Sequence, residues 1–330
     1  MPFMKLSALL LLILAVSACQ PSPDKIHKKV HAENGTYAAD ISDDGSYSLV
    51  STDETGLLLW PRYANNAKYQ WEHEEGEVSQ IIDVDIAADN SVAVAASRYE
   101  FSMWDMKTGE NLGFWSIGNG RIQKIVVSKS GGTVVLGKRD GTQVAFNPQS
   151  GRRIEFYGHT EAVNALDISP NGFYVLSASN DYTAILWDTR SGQIVHRWEY
   201  EGRMTQVALH PSGKYAFAAD STDNAVIRAL PGGEEVSRLK FPDRQRIFSA
   251  ARFSESGDYL ITGAPSRRIA IWNTATGKLL SDWRVDLRDG GRPSNASVLA
   301  VVFDEAENTV VSESSAGLVE WWEIDLTGSK

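Results

Sequence analysis

The sequence predicts an all-β protein in which seven four-stranded antiparallel sheets form a closed ring. Three observations carry this prediction. First, a short apolar run recurs seven times, at spacings of 44, 42, 41, 41, 44 and 49 residues, as expected of a repeat architecture. Second, each run follows two other short runs of alternating or β-branched residues, which are typical of strands. Third, turn-forming residues such as Pro211-Ser212-Gly213 separate the runs, as in chains of short antiparallel strands.

One residue in each apolar run serves as the anchor of its repeat. In chain order the anchors are Trp60, Trp104, Phe146, Trp187, Arg228, Trp272 and Trp321. Five positions after the anchor, six repeats carry a residue that tolerates the positive φ of a tight hairpin. These residues are Asn65, Gly109, Gly151, Gly192, Gly233 and Gly277. Eleven positions after the anchor stands a large apolar residue, which we expect to lie in the fourth strand. These residues are Trp71, Trp115, Tyr157, Trp198, Leu239 and Trp283.

The fourth repeat carries the most specific motif. It runs from Gly158-His159 to Trp187-Asp188, with Ser169-Pro170-Asn171-Gly172 and Asp181-Tyr182-Thr183 between them. In these residues the chain resembles the WD-repeat family of β-propellers. The resemblance implies a seven-bladed β-propeller with four-stranded antiparallel blades, which spans residues 24–325 and leaves a C-terminal tail at 326–330.

The resemblance also implies a structural tetrad in the fourth repeat. His159 and Asp181 would hydrogen-bond across the top of the blade, together with Trp187 and with Ser177 or Ser179, of which Ser179 is assigned here. A catalytic dyad of His159 and Asp181 is the alternative. We favour the structural role, because such positions pin loops in these blades and no nucleophile is placed beside them.

The seventh repeat has room for only three strands, since its anchor lies nine residues from the C-terminus. We therefore expect residues 26–30, which precede the first repeat, to supply the fourth strand and close the ring. Closure of this kind removes the free sheet edges that invite aggregation.

Residues 1–18 are predicted to form a lipoprotein signal peptide. Lys5 provides a positive charge ahead of an apolar stretch at residues 6–15, which is too short to span a bilayer. The sequence Val16-Ser17-Ala18-Cys19 resembles the lipobox of bacterial lipoproteins. This resemblance implies acylation of Cys19, the only cysteine of the chain.

The acylated cysteine would begin a lipidated tether at residues 19–23, and its acyl chains would hold the protein at a membrane. Because Gln20 rather than Asp follows the cysteine, the resemblance implies sorting to the outer membrane of a bacterial cell envelope, facing the periplasm.

Composition argues against several classes of function. The formal net charge of -10 provides no surplus of Lys and Arg with which to neutralise phosphates, so we expect no nucleic-acid partner. The histidines lack metal-ligand spacing, and neither a nucleotide-binding glycine motif nor a serine-hydrolase motif is present. We therefore expect no metal, no nucleotide, no other cofactor and no enzymatic activity.

Charged residues recur at one aligned position of the first strands. Asp40, Asp85 and Asp167 occupy it in repeats one, two and four, and Arg252 occupies it in repeat six. We expect them to line the central channel as a hydrated or mutually paired ring that positions the strands. A cation site is the alternative.

The favoured function is a membrane-anchored, non-catalytic periplasmic scaffold that binds a protein or peptide partner on the top face. Arginine is favoured at interfaces, and the predicted top-face positions are rich in it. The candidate partner-binding residues are Arg98, Arg121, Arg139, Asn180, Arg203, Arg267 and Arg268. The alternatives are a propeller enzyme or cofactor-binding protein, and a receptor for an anionic envelope glycan or lipopolysaccharide.

Overall fold

The computed structural model describes residues 22–72, 80–241, 247–289 and 295–326. Within these ranges the secondary structure is 28 β-strands and one 3-10 helix, Lys129–Gly131. The strands form seven four-stranded antiparallel sheets, which we call blades 1 to 7 in chain order. The predicted all-β, seven-bladed β-propeller is confirmed. The predicted signal peptide and Cys19 lie outside the described residues, as does most of the predicted C-terminal tail.

Each blade runs from an innermost first strand to an outermost fourth strand. Blade 1 contains β2 (Ala39–Ile41), β3 (Tyr47–Thr52), β4 (Gly56–Pro61) and β5 (Tyr69–Trp71). Blade 2 contains β6 (Asp83–Ile86), β7 (Val92–Ala96), β8 (Glu100–Asp105) and β9 (Asn111–Ser116). Blade 3 contains β10 (Ile122–Val127), β11 (Val134–Lys138), β12 (Gln143–Phe146) and β13 (Arg153–Phe156). Blade 4 contains β14 (Val163–Ile168), β15 (Tyr174–Ser179), β16 (Thr183–Asp188) and β17 (Gln193–Glu199).

The remaining blades follow the same plan. Blade 5 contains β18 (Met204–Leu209), β19 (Tyr215–Asp220), β20 (Ala225–Ala229) and β21 (Glu235–Arg238). Blade 6 contains β22 (Ala250–Phe253), β23 (Tyr259–Gly263), β24 (Arg268–Asn273) and β25 (Leu279–Arg284). Blade 7 combines β26 (Val298–Asp304), β27 (Thr309–Ser314) and β28 (Leu318–Glu323) with β1 (Asp24–Val30) from the other end of the chain.

Burial explains the sequence of each strand. The second strand of blade 2, Val92–Ala96, is a continuous apolar run and is buried along its whole length, because neighbouring blades cover both of its faces. The fourth strand of the same blade, Asn111–Ser116, is only half-buried at best, since it forms the outer rim. The apolar clusters extend across blade boundaries, as where Leu49 of blade 1 and Ala93 of blade 2 share one cluster. The core is therefore a ring of interfaces between blades.

The anchor residue of one blade packs against the fourth strand of the preceding blade. Trp187 of blade 4 stacks on Phe156 of blade 3, with ring centroids 4.5 Å apart. In blade 5 the guanidinium of Arg228 takes the anchor position and lies 5.3 Å from the ring centroid of Trp198. These inter-blade contacts account for the regular spacing of large residues in the sequence.

Two repeats differ from the predicted register by one residue. In blade 3, β13 ends at Phe156, which is buried, whereas the predicted Tyr157 is 73% exposed. In blade 7 the anchor is Trp322, which lies 5.9 Å from Trp283 of blade 6 between ring centroids. The predicted anchor, Trp321, is on the opposite face of β28, in the cluster that faces blade 1. Adjacent aromatic residues alternate between faces of a strand, so composition alone does not distinguish them.

In the turns between third and fourth strands, a positive φ is confirmed for five of the six residues predicted to have one. All five glycines have positive φ, for example 80° at Gly109 and 71° at Gly192. Blade 1 is different. Its positive φ, 56°, is at Tyr63 rather than at Asn65, because the connection from β4 to β5 is longer than in the other blades.

β1 closes the ring, as the sequence predicts. It pairs antiparallel with β28, from Asp24 opposite Glu323 to Val30 opposite Leu318. A residue beyond the strand, His31, continues the contact by donating its backbone N–H to the carbonyl of Gly317 over 2.8 Å. Blade 7 is thereby held together from both ends of the described chain, and the edge of β28 is covered.

The closing strand and the residue after it also contact two glutamates that are fully buried in blade 7. Lys25 Nζ lies 2.6 Å from Glu320 Oε1, and His31 Nδ1 lies 2.6 Å from Glu313 Oε1. Both glutamate side chains are 0% exposed. Burial raises the pKa of Glu320, and the ammonium of Lys25 partly offsets that effect. Since an unpaired buried carboxylate is costly, these contacts specify which strand closes the ring.

We predict that Lys25→Ala lowers the free energy of unfolding by about 3 kcal/mol, because it leaves the buried Glu320 without its cation. The loss should be larger at pH 8 than at pH 5, where Glu320 can take up a proton. The matched control is Lys28→Ala, since Lys28 bonds only the partly exposed Asp286 and should cost less than about 1 kcal/mol. Urea denaturation of the three proteins at both pH values measures this, and equal stability of the two variants would contradict the prediction.

Candidate functional site

The strand order defines two faces of the ring. In each blade the second-to-third strand connection and the connection to the next blade emerge on one face, which we call the upper face. The first-to-second and third-to-fourth connections emerge on the other, the lower face. This follows from the antiparallel order of every sheet. The sequence-predicted top face corresponds to the upper face.

Three of the predicted arginines come together on the upper face of blades 2 and 3. The backbone carbonyl of Arg98 accepts a hydrogen bond from Ile122 N over 2.7 Å, and that of Arg121 accepts one from Arg139 N over 2.9 Å. These bonds join the loop of blade 2, the entry to blade 3 and the loop of blade 3 side by side. We call Arg98, Arg121 and Arg139 the arginine cluster.

The side chains of the arginine cluster are available to a partner to different degrees. Arg98 and Arg139 are exposed and Arg121 is half-buried. Arg98 Nη2 donates to Gln80 Oε1 over 3.0 Å. Among the described residues, none forms a hydrogen bond or an ion pair with the Arg139 side chain. Within the described ranges, the cluster therefore offers one guanidinium without a partner, that of Arg139, and one bonded to a neutral amide, that of Arg98.

The other predicted partner-binding residues are separated from the cluster or already occupied. Arg203 is exposed but lies on blade 5, where its backbone carbonyl accepts a bond from Ser221 N over 2.9 Å. Both Nε and Nη2 of Arg267 donate to the carbonyl of Val285. Through these contacts Arg267 connects the loop before β24 to the residue after β25, within blade 6.

Arg268 and Asn180 are also engaged within their own blades. Arg268 Nη1 lies 3.4 Å from Asp282 Oδ2, within blade 6. Asn180 Oδ1 accepts a hydrogen bond from Asn164 Nδ2 over 2.7 Å, within blade 4. Both side chains therefore have partners within their own blades, and the arginine cluster does not include them.

Exposed tyrosines are a feature of the upper face that the sequence reasoning missed. Tyr99 follows Arg98 directly and is 49% exposed. Tyr37, Tyr157 and Tyr182 also lie on upper-face loops and are exposed. Tyrosine offers a rigid apolar body with a polar tip and is enriched at protein interfaces. The signal available in the sequence was the placement of tyrosine in turns, next to Arg98 and next to Asp181.

Blade 4 contains a buried hydrogen-bonded chain. His159 Nδ1 lies 3.0 Å from Asp181 Oδ2, and His159 Nε2 lies 2.8 Å from Ser177 Oγ. Gln143 of blade 3 connects this chain to the anchor, since its Nε2 donates to Ser177 Oγ over 2.9 Å and its Oε1 accepts from Trp187 Nε1 over 2.9 Å. The chain therefore couples blade 4 to blade 3.

The serine of this chain is Ser177, so the assignment of Ser179 was wrong. Ser179 Oγ instead donates to the carbonyl of Glu161 over 2.9 Å. Residues two apart point to the same face of a strand, so the sequence alone did not separate them. Although burial alone would raise it, the pKa of Asp181 is held well below its usual range by hydrogen bonds from His159 and Thr183.

The three predicted channel aspartates line a central cavity of about 430 Å³. Each accepts a hydrogen bond from a backbone N–H of the following blade. Asp40 Oδ2 bonds Ile86 N over 3.0 Å, Asp85 Oδ2 bonds Val127 N over 2.6 Å and Asp167 Oδ2 bonds Leu209 N over 2.6 Å. The aspartates thus join first strands of successive blades, which supports the interpretation that they position the strands around the channel.

Arg252 faces the same cavity from blade 6. Its Nη2 lies 2.8 Å from Asp40 Oδ1 and its Nη1 lies 3.6 Å from Asp43 Oδ1. Burial opposes the charged form, but Asp40 and Asp43 keep the pKa of Arg252 above its usual value. The pair joins blade 6 to blade 1 across the channel.

The two other predicted channel aspartates, Asp85 and Asp167, have raised pKa values. Burial and the neighbouring Asp40 raise the pKa of Asp85 well above its ordinary range. Burial raises the pKa of Asp167 to about 7, against the effect of hydrogen bonds from Leu209 and Ile168. Across the described part of the chain, no cluster of three or more His, Cys, Asp or Glu side chains has an arrangement suited to a metal ion.

Comparison with known families identifies one of the seven repeats. Residues 151–188 match the family model described as WD domain, G-beta repeat. This stretch contains His159, Ser177, Asp181 and Trp187 of the hydrogen-bonded chain in blade 4. Together with the seven blades, the match supports a WD-repeat β-propeller. No curated protein matches the sequence. In the described ranges, no helix has the length and apolar character needed to cross a membrane.

We predict that Asp167→Asn stabilises the protein relative to wild type more at pH 8 than at pH 5. A carboxyl whose pKa is raised on folding contributes stability below its unfolded pKa, and that stability is lost as the pH rises through about 7. Melting temperatures measured from pH 5 to 8 test this. Asp181→Asn, which removes a carboxyl whose pKa is lowered, should destabilise throughout this range without the trend. A pH-independent effect of Asp167→Asn would refute the prediction.

Proposed function

We propose that this protein is a non-catalytic scaffold that binds a protein or peptide partner through the upper face of blades 2 and 3. The observation that supports it most directly is the arginine cluster with Tyr99 beside it. WD-repeat β-propellers commonly act as protein-interaction scaffolds. Arginine and tyrosine are the residue types that dominate binding energy at protein interfaces, and here the fold positions them on adjacent loops.

The state of the His159–Asp181 pair supports a non-catalytic role. The His159 side chain is 0% exposed, and its Nε2 already contacts Ser177. The Ser177 hydroxyl in turn accepts a hydrogen bond from Gln143. A general base must reach the proton it abstracts from a substrate. These groups are buried and hydrogen-bonded to one another, and they stabilise blade 4.

The proposal includes anchoring of the scaffold in a bacterial envelope by acylated Cys19, with the folded body facing the periplasm. It rests on the lipobox-like Val16-Ser17-Ala18-Cys19 and the short apolar segment before it. Several acyl chains give stable membrane binding where one chain is marginal.

We predict that replacing Arg98 and Arg139 by Glu abolishes partner capture while leaving the melting temperature unchanged. Both side chains are exposed, so the change should cost about 0.5 kcal/mol or less in stability. Like charges placed against a partner cost several kcal/mol, about enough to abolish capture. The control is Lys107→Glu with Arg152→Glu, which makes the same charge change on the lower face of blades 2 and 3.

Crosslinked pull-down from membranes, followed by melting of the same preparations, measures this prediction. Equal capture by wild type and by the Arg98/Arg139 variant would contradict it. Loss of salt-sensitive binding to lipopolysaccharide, with protein capture intact, would favour the alternative of a receptor for an anionic envelope glycan.

We predict that Cys19→Ser moves the protein from the membrane fraction to the soluble periplasmic fraction, because the acyl chains provide the membrane affinity. Fractionation of cells that express the wild type or the variant measures this. Unchanged membrane association of the variant would overturn the anchoring proposal.

A further inference from the structure

We infer that the lower rim formed by the start of β1 and the turn after β4 lies against the headgroup region of the membrane, so that the upper face is presented away from the lipid. This inference rests on the proposed acylation of Cys19. It goes further by assigning a membrane-facing surface and an orientation to the folded body.

The direction of β1 sets where the anchor is attached. Asp24, at the start of β1, pairs with Glu323, the last residue of β28. The residue after β28, Ile324, donates its N–H to the carbonyl of Asn308, which lies in a lower-face turn. The other end of β1 reaches the upper face, where His31 N donates to the Gly317 carbonyl. The chain therefore enters the fold from the lower face.

The tether is too short to allow free orientation. Five residue steps separate Cys19 from Asp24, and at most about 3.5 Å per step they span about 17 Å. The headgroup layer of one leaflet accounts for about 5–7 Å of that length. The lower rim of blade 7 is therefore held close to the lipid, whatever conformation the tether adopts.

The rim next to the attachment point has a surface suited to a membrane interface. Ile26 is 47% exposed and Tyr63 is 46% exposed. The ring centroid of His27, the next residue of β1, lies 5.7 Å from that of Tyr63. These residues and Lys28 and Lys29 line one open depression. Tyrosine is enriched at the headgroup level of membranes, and lysine can place its stem along apolar surface there.

Charge attraction is a minor part of this contact. Lys28 Nζ lies 2.8 Å from Asp286 Oδ2, and Lys29 Nζ donates to the Ala64 carbonyl. Their ammonium groups are thus engaged within the protein. The inferred occupant is the polar headgroup and glycerol region of the bilayer that carries the anchor, contacted through Ile26 and Tyr63.

The test uses the full acylated protein with a fluorescent dye at one of two positions. Tyr63→Cys places the dye on the lower rim, and Tyr99→Cys, at a site of nearly equal exposure (49%), places it on the upper face. Cys19 is the only native cysteine, and its thiol is consumed by acylation, so labelling is specific. The protein is reconstituted on vesicles of phosphatidylethanolamine and phosphatidylglycerol with a spin-labelled headgroup lipid, and flotation and quenching are measured.

We expect the protein to float with the vesicles, with strong quenching at position 63 and little at position 99. Ile26→Asp should reduce quenching at position 63 without loss of flotation, whereas Ile247→Asp, at an exposed upper-face site, should have no effect. Flotation with equal quenching, or with stronger quenching at position 99, would overturn the orientation and leave anchoring intact. A protein that does not float would overturn the proposed anchoring and the orientation together.

Discussion

The pairing of β1 with β28 is the constraint on which the rest of this structure depends. A ring of sheets has no covalent closure, so one non-covalent strand pair must fix its circumference. Here that pair also places Lys25 of the closing strand 2.6 Å from the buried Glu320 of blade 7, and it brings His31, the residue after the strand, 2.6 Å from the buried Glu313. A wrong strand at this position would leave the buried Glu320 without its cation and the buried Glu313 without its contact to His31, which makes closure specific as well as favourable.

Closure positions the channel and the upper face. Once the ring is fixed, first strands lie close enough for an aspartate of one blade to accept a hydrogen bond from the backbone of the next, as Asp85 does from Val127. The same spacing brings the loops of blades 2 and 3 together, so that Arg98, Arg121 and Arg139 become neighbours although they are distant in the sequence. The candidate binding surface is thus a consequence of blade packing and not of any local motif.

The periodicity of large residues predicted the number of blades, the strand order and the closing strand, because inter-blade packing repeats at a constant interval. Sequence reasoning failed where two adjacent or alternate residues compete for one position. Phe156 and Tyr157 are both aromatic, and so are Trp321 and Trp322; Ser177 and Ser179 share a strand face. Gln143 was missed because it acts on the neighbouring blade. The engagement of Arg267 by a carbonyl and the exposure of Tyr99 depend on loop conformation, which residue type does not determine.

Hydrogen exchange of the intact protein tests the central claim most directly. If β1 holds the ring closed, separation of β1 from β28 and unfolding of the ring are one cooperative event. The slowest-exchanging amides of the β1–β28 pair should then exchange with the same free energy as the slowest amides of β15 and β16 in blade 4. Exchange of the β1 and β28 amides at a much lower free energy, with blade 4 still protected, would show that the ring persists without its closing strand and would contradict the account.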